Sequence, residues 1–425
     1  MTVGPKTYAP LLATCLVLWP IAAYSGAQGF TGVVAVAALI SLFYVRVRSV
    51  QIYVLAFLAL VVWIIAAGFW APEAKELLTG NLLAGSFSMD MAGVRFGLTA
   101  LAGLGLLVAV GAVPQGTSKI SLGVIVAAGL VQFMGVIVTA LFMPQILALL
   151  APVSDPVKEM PQNLIRNANA FSLLLPFLVA WLWHRGRGEY WALWAVALFV
   201  LAGGAFMQTS TQTASMGAFF MLLAMAIVKL FPKHGFKMIF TSFAAYIVAA
   251  PTLLGWGLGQ IRALGLPLPK SFFSRTYSWE LVHSKVGEAP LKGHGLEATQ
   301  TWQDTYGDHP AWLADAAGRY GMESSWEVYR VIPTHPHNMP LQIWAETGMI
   351  GAILAAVFLF FVGWRLKAPE DWPSISRYAA AGLAGICFAI CSFAYSMWNE
   401  AFWASVVLAA AVILLQARHD GAAKA

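Results

Sequence analysis

Long apolar runs separated by short polar breaks occupy most of the chain, and one polar stretch of about eighty residues interrupts them late. A run of about 20 apolar residues is long enough to cross a bilayer as a helix. Such runs fall at 8–27, 29–45, 52–70, 92–113, 120–145, 168–183, 190–207, 211–230, 238–258, 339–364, 378–396 and 401–416. The expected architecture is an all-α polytopic membrane protein with about twelve transmembrane helices and one large loop between the ninth and the tenth. On that reading residues 1–258 carry helices one to nine, 259–338 form the loop or cap, and 339–425 carry helices ten to twelve. The first run follows Lys6 as a signal peptide would, but it contains Pro20 and a second run follows almost at once, so it is read as a retained helix.

Composition agrees with this pattern. Hydrophobic residues make up 60% of the 425 positions and charged residues 10%, with mean hydropathy +0.73, where a soluble domain carries about a quarter charged residues. The 17 tryptophans and 12 tyrosines suit headgroup-level belts. Cys15, Cys387 and Cys391 all sit inside apolar runs, which implies packing and no disulfide framework.

The net charge of +6 would suggest nucleic acid if the basic residues were clustered, but they are distributed by side of the membrane. If the N-terminus is cytoplasmic, 14 of the 25 Lys and Arg fall in short inner connections such as His184-Arg185-Gly186-Arg187. Seven of the remaining 11 lie in the one long loop, which the positive-inside rule largely ignores. Both termini are therefore expected on the cytoplasmic side, with 71–91, 146–167, 208–213 and 259–338 outside.

The outer segments hold the candidate chemistry. His335 and His337 stand with Asn338 where the long loop meets the apolar run 339–364. A histidine takes up a proton near neutral pH and is a candidate general base at such a boundary. The plainer reading is a helix start with Asn338 as cap and solvated histidines, and a third is a metal site completed by His294 or His309. Arg166, Arg262 and Arg275 lie on the same outer side, where an arginine grips phosphate bidentately or simply snorkels to headgroups. Trp302, Tyr306, Trp312, Tyr320, Trp326 and Tyr329 suit sugar stacking or the core of a small cap. Asp304, Asp308, Asp315, Glu323 and Glu327 are too loosely spaced to name a carboxylate pair, and no P-loop, GxSxG or HExxH pattern is present on this side.

Three segments together resemble the O-antigen ligase and polymerase superfamily. The first is His337-Asn338 followed by Leu341-Gln342, Glu346, Gly348 and Gly351; the second is Arg275 with Trp279 and then Pro290-Leu291-x-Gly293-x-Gly295; the third is Asn167-x-Asn169-x-Phe171. The family often has a Thr-x-Ser-Arg turn after the seventh span, where this chain reads Thr209-Ser210-Thr211-Gln212-Thr213, so the uncharged Gln212 stands near the missing arginine. The resemblance implies a GT-C-like enzyme of the bacterial inner membrane, with the loop and active site periplasmic. It implies transfer of a glycan from an undecaprenyl diphosphate donor to lipid A-core, with no metal or other cofactor and no nucleic-acid partner. His337 is then expected as base with His335 assisting, or the two exchanged. Arg275, Arg166, Arg262 and Gln212 are expected on the diphosphate, with Asn338, Gln342 and Glu346 in support. The alternatives are a repeat-unit polymerase of the same superfamily and a transporter of lipid-linked glycans. Spans nearly free of charge argue against the transporter.

Overall fold

The computed structural model describes residues 7–24, 29–42, 51–72, 91–150, 160–185, 189–208, 212–264, 270–319, 321, 324–365 and 372–421. These form fifteen α-helices and a few 3₁₀ turns, and no strand is found among the described residues. In chain order the helices are α1 (Tyr8–Tyr24), α2 (Gly29–Leu42), α3 (Ile52–Ala67), α4 (Ala92–Gly111), α5 (Leu122–Leu150), α6 (Met160–Ser172), α7 (Leu175–Arg185) and α8 (Glu189–Gln208). They continue as α9 (Gln212–Leu230), α10 (Gly235–Ala263), α11 (Lys270–Glu288), α12 (Ala311–Arg319), α13 (Met339–Arg365), α14 (Ser374–Phe393) and α15 (Glu400–Gly421).

Eight helices among the described residues are long and apolar enough to cross a membrane: α3 with its 3₁₀ extension to Trp70, α4, α5, α9, α10, α13, α14 and α15. Tyr8–Tyr24, Gly29–Ser41 and Leu193–Phe206 are shorter apolar helices. The run expected as one span at 168–183 is not one helix, because α6 ends at Ser172 and α7 begins at Leu175. Pro176 explains the break, since its ring clashes with the carbonyl four residues back and it has no N–H to donate. Leu174 and Phe177 close tighter turns onto Phe171 and Leu174 in its place. Parts of two expected outer segments, 73–90 and 151–159, lie outside the described residues.

Close helix pairs are made where side chains are small. A Cβ on Gly385 of α14 would run into the Phe220 carbonyl of α9, and one on Gly382 would meet Met221, Met225 and Pro176. Buried Ala381 and Ala384 continue that face, and in lipid such backbone approach is what dispersion between helices requires.

The polar stretch is not an open loop. The 19-residue helix α11 carries Trp279, Val282 and Val286 into a second core with Tyr306, Leu313, Trp326, Val331, Ile332, Leu341 and Ala345. Of the aromatics considered for sugar stacking, Tyr306 and Trp326 are therefore core, Trp302 and Trp312 pack against it, and Tyr329 is exposed. Tyr320 lies outside the described residues.

Helix α13 is interrupted within its length. Gly348 has φ +69° and ψ −170°, a conformation open only to glycine. The break frees backbone groups that a buried segment cannot leave unpaired, and the turn Pro290–Gly295 satisfies them. His294 N–H donates to the Ala345 carbonyl at 2.8 Å and Gly295 N–H to Glu346 at 3.0 Å, while Met349 and Ile350 donate to Pro290 and Leu291 at 2.8 and 3.3 Å. Trp63 Nε1 of α3 donates to the Thr347 carbonyl at 2.9 Å. Gly293 and Gly348 follow from this docking, since a Cβ on Gly293 would meet the backbone of 346–348 and one on Gly348 the Leu291 carbonyl; a Cβ on Gly295 would meet the backbone of Ala71.

Candidate functional site

Asn338 starts α13 and fixes its position. Its Oδ1 accepts from Leu341 N–H at 2.9 Å, a helix cap. Its Nδ2 donates to Tyr246 Oη of α10 at 2.9 Å and to the Ser392 carbonyl of α14 at 3.1 Å. The cap reading of Asn338 is thus correct, and the same side chain ties three helices together beside the histidines.

Trp279 secures the other end of that segment. It is buried, and its Nε1 donates to the Pro336 carbonyl at 2.8 Å. Arg275 stands one turn earlier, so positions four apart share a helix face and the arginine is delivered to the histidine segment. Burial pushes its guanidinium pKa down. Trp279→Phe removes the hydrogen bond and leaves the ring. The buried Pro336 carbonyl then lacks its donor, and the fold is expected to lose about 1–3 kcal/mol of stability; thermal scans of the variant against wild type check this.

His337 has φ +52°, an uncommon region for a residue with a Cβ. This conformation turns its N–H back onto His335 Nδ1 at 3.2 Å and sets the two ring centroids 4.3 Å apart. The Nδ1 of His337 lies 3.0 Å from the Ala394 carbonyl. A carbonyl only accepts, so Nδ1 carries the proton and Nε2 presents a lone pair. In His335 the roles reverse: Nδ1 accepts from the backbone, and in the neutral ring Nε2 carries the proton. Burial, then His337, Arg275 and Arg166, push His335 down to about 3. Burial and Arg275 also lower His337, against the opposing pull of the Ala394 carbonyl. Both rings are neutral near pH 7.

Arg166 and Asn169, on α6, line a cleft with Tyr395, Asn399, Phe402 and Ser405. Asn169 Nδ2 donates to Tyr395 Oη at 3.1 Å, while Asn167 is buried against Gln132 and Phe171 stacks on Phe133 in the core. Arg262 ends α10 and Gln212 begins α9, and the side chains of both, like residues 209–211, lie outside the described residues.

Gln342 and Glu346 sit one helical turn apart beneath the histidines and are both buried. The Glu346 carboxylate accepts from Glu297 N–H at 2.7 Å, Thr299 Oγ1 at 2.6 Å, Gln342 Nε2 at 3.1 Å and Trp398 Nε1. Gln342 also donates to Ser396 Oγ at 3.0 Å and accepts from Met397 N–H at 2.8 Å. These two side chains bind the cap turn to the connection 394–399. His294 is engaged with the Lys285 carbonyl and Trp302, and His309 with Glu327 and Trp326. No three His, Cys, Asp or Glu among the described residues come together as metal ligands, so neither joins the His335–His337 pair in a cluster.

The connection 394–399 was missed in reading the chain. It supplies the carbonyl that sets the His337 tautomer and the Tyr395 wall of the cleft. The signal was present: Tyr395-Ser396-Met397-Trp398-Asn399-Glu400 is a polar and aromatic break between the last two spans. On the expected topology it faces the same side as the histidines.

Comparison with known proteins gives a family described as O-Antigen ligase, matched over residues 197–356. That range takes in Arg275, Trp279, the 290–295 turn and the 335–351 segment, in agreement with the superfamily resemblance; Arg166 and Tyr395 lie outside it. A curated protein of Rickettsia conorii named "Putative polysaccharide ligase" is 28% identical over 132 residues. The aligned part is 31% of this chain and spans 28% of that relative's length. No solved structure matches.

Proposed function

From the O-antigen ligase match that contains the histidine segment, we infer that this multi-pass membrane protein transfers a glycan from a polyprenyl diphosphate to lipid A-core. The observation that carries this is the His337 ring, whose Nδ1 is held on the Ala394 carbonyl so that Nε2 is the basic nitrogen, in a segment fixed by Trp279 of the helix that bears Arg275.

In the reaction the acceptor hydroxyl gives its proton to His337 Nε2 as its oxygen bonds to the anomeric carbon of the donor sugar. The bond from that carbon to the phosphate oxygen breaks, and its electron pair leaves with the diphosphate. Arg275 and Arg166 offset the charge that develops there, an electrostatic contribution made by groups already in place. His335, with its proton on Nε2, serves as a hydrogen-bond donor next to the base. Arg262 and Gln212 are further candidates for the diphosphate. The diphosphate leaves readily, so the step needs neither a general acid nor a metal ion. The donor is undecaprenyl diphosphate-linked. The site opens on the periplasmic face of the inner membrane with both termini in the cytoplasm, a reading supported by the distribution of Lys and Arg along the chain.

Burial first and Arg275 after it hold His337 below its ordinary value in the free protein, and an anionic donor offsets the arginine's part. The acid limb of kcat/KM, which reports the free enzyme, is therefore expected below the ordinary imidazole value of about 6.5. The acid limb of kcat, which reports the complex, is expected at higher pH. Two coincident limbs at or above that value would count against a histidine beside these arginines.

The test is purified protein in detergent, given the lipid-linked donor with and without lipid A-core, each with and without chelator. Product only with lipid A-core, indifferent to chelator, supports the ligase. Growth of chain length on the carrier without lipid A-core makes the protein a polymerase, and no glycosidic bond in either lane overturns both.

A further inference from the structure

The carbonyl that sets the His337 tautomer belongs to a residue that is leaving its helix. The Ala394 N–H still bonds to Ile390 at 2.9 Å, but Ala394 itself has φ −133° and ψ −99°. In a continuing helix its carbonyl would accept from the N–H four residues on, that of Trp398. Here the Trp398 N–H turns back to Ser396 Oγ at 3.2 Å, and the Ala394 carbonyl faces His337. Helix ends fray, so the bond to His337 depends on what anchors the residues around Ala394.

Two side chains of α13 bracket it. Asn338 Nδ2 donates to the Ser392 carbonyl, two residues before Ala394, at 3.1 Å. Gln342 Nε2 donates to Ser396 Oγ, two residues after it, at 3.0 Å. Asn338 and Gln342 stand one turn apart on one face, joined by the bond from Gln342 N–H to the Asn338 carbonyl at 3.0 Å. His337 directly precedes Asn338, so one turn of α13 and two side chains set the distance from ring to carbonyl. Ser396 Oγ is the node on the connection, because it accepts from Gln342 and from Trp398 at once. The second of these bonds is the local kind by which a serine fixes a turn. The tie at Tyr395 runs instead to Asn169 of α6, and the tie at Trp398 runs to Glu346, a turn further along α13.

We propose that Ser396 is a positioning residue for the base: held by Gln342, its hydroxyl keeps the Ala394 carbonyl on His337 Nδ1 and so keeps Nε2 as the nitrogen that takes the proton. The proposal rests on the reading of His337 as the base of glycan transfer. A neutral ring that carries its hydrogen on Nε2 has no lone pair there and takes no proton from an acceptor hydroxyl at that atom.

The experiment reads the His337 tautomer by nitrogen NMR in purified full-length protein with isotopically labelled histidine, the His337 signals being those missing from His337→Asn. Wild type at neutral pH is expected to carry the proton on Nδ1. In Ser396→Ala the ratio of that tautomer to the other is expected to fall about fivefold, the scale of one hydrogen bond. The kcat is expected to fall with the fraction of rings whose Nε2 is free, while KM holds. Burial and then Arg275 lower His337, and the Ala394 carbonyl opposes them, so a loosened carbonyl also moves the acid limb of kcat/KM to lower pH. Ser396→Thr keeps the hydroxyl and is expected to restore tautomer, kcat and limb. If Ser396→Ala does not fold, Ser396→Cys, a weaker acceptor, is read in the same way. A wild-type ring protonated on Nε2 overturns the proposal with no variant needed. A variant that melts lower yet keeps the wild-type tautomer and acid limb also overturns it. The tautomer is read without substrate, so the expected tautomers in a protein that transfers no glycan support the positioning and overturn the reaction it serves.

Discussion

Replacing His337 by asparagine is expected to lower kcat about 10²- to 10⁴-fold, the range that a positioned general base supplies. Asparagine is the informative choice. The position has φ +52°, which asparagine tolerates better than most residues. Its amide still offers an N–H toward the Ala394 carbonyl but no basic nitrogen. Loss of transfer with an unchanged melting temperature and unchanged donor affinity would place the defect in proton removal. His335→Asn should be milder, because the Nδ1 of His335 is taken by the His337 N–H and only its donor role is lost. If His337→Asn retained near-normal turnover, the assignment of the base would fall.

Gly348→Ala is expected to reduce the folded fraction by more than any substitution in the cleft. The residue occupies a region closed to side chains, and its new Cβ would run into the Leu291 carbonyl. Strain and lost docking together should amount to about 3–5 kcal/mol, the upper part of the range for single substitutions. Gly257→Ala in α10 is the control, since nothing lies within 4 Å of its Cβ position and the change should fall within about 1 kcal/mol. Size-exclusion profiles and thermal scans in detergent compare the two. Equal stability would mean that the 290–295 turn does not hold the broken helix.

Much of this organisation was readable along the chain because it depends on local chemistry. Asn338 announces the start of α13 through its capping oxygen, and apolar length places α13 and α14 within a few residues. Arg275 and Trp279 share a helical face only because the stretch read as a loop contains α11. What could not be read is set by contacts between distant segments. Gly348 and Gly351 look like small residues for helix packing, and only the docked 290–295 turn reveals that Gly348 breaks the helix. The loop aromatics have the composition of a sugar platform, yet Tyr306 and Trp326 are consumed by the core that α11 builds. Asn169 and Tyr395 lie 226 positions apart, and no local pattern joins them. The break at 173–174 was legible in principle from Pro176, but an otherwise apolar run concealed it.

The Glu346 carboxylate also bears on biosynthesis. Its donors come from 297–299, from Gln342 and from Trp398, so the last of them leaves the ribosome well after α13 has been made. Until α14 and the following connection arrive, the nascent protein holds a carboxylate in an apolar bundle with an incomplete set of partners, which is costly. Domains assemble in the order in which they are synthesised, and here the step that completes the partners waits for the connection 394–399. A nascent chain that has reached α13 but not Trp398 therefore lacks both a donor to Glu346 and the Ala394 carbonyl that orients His337, so the carboxylate and the histidine pocket are completed by the same short connection.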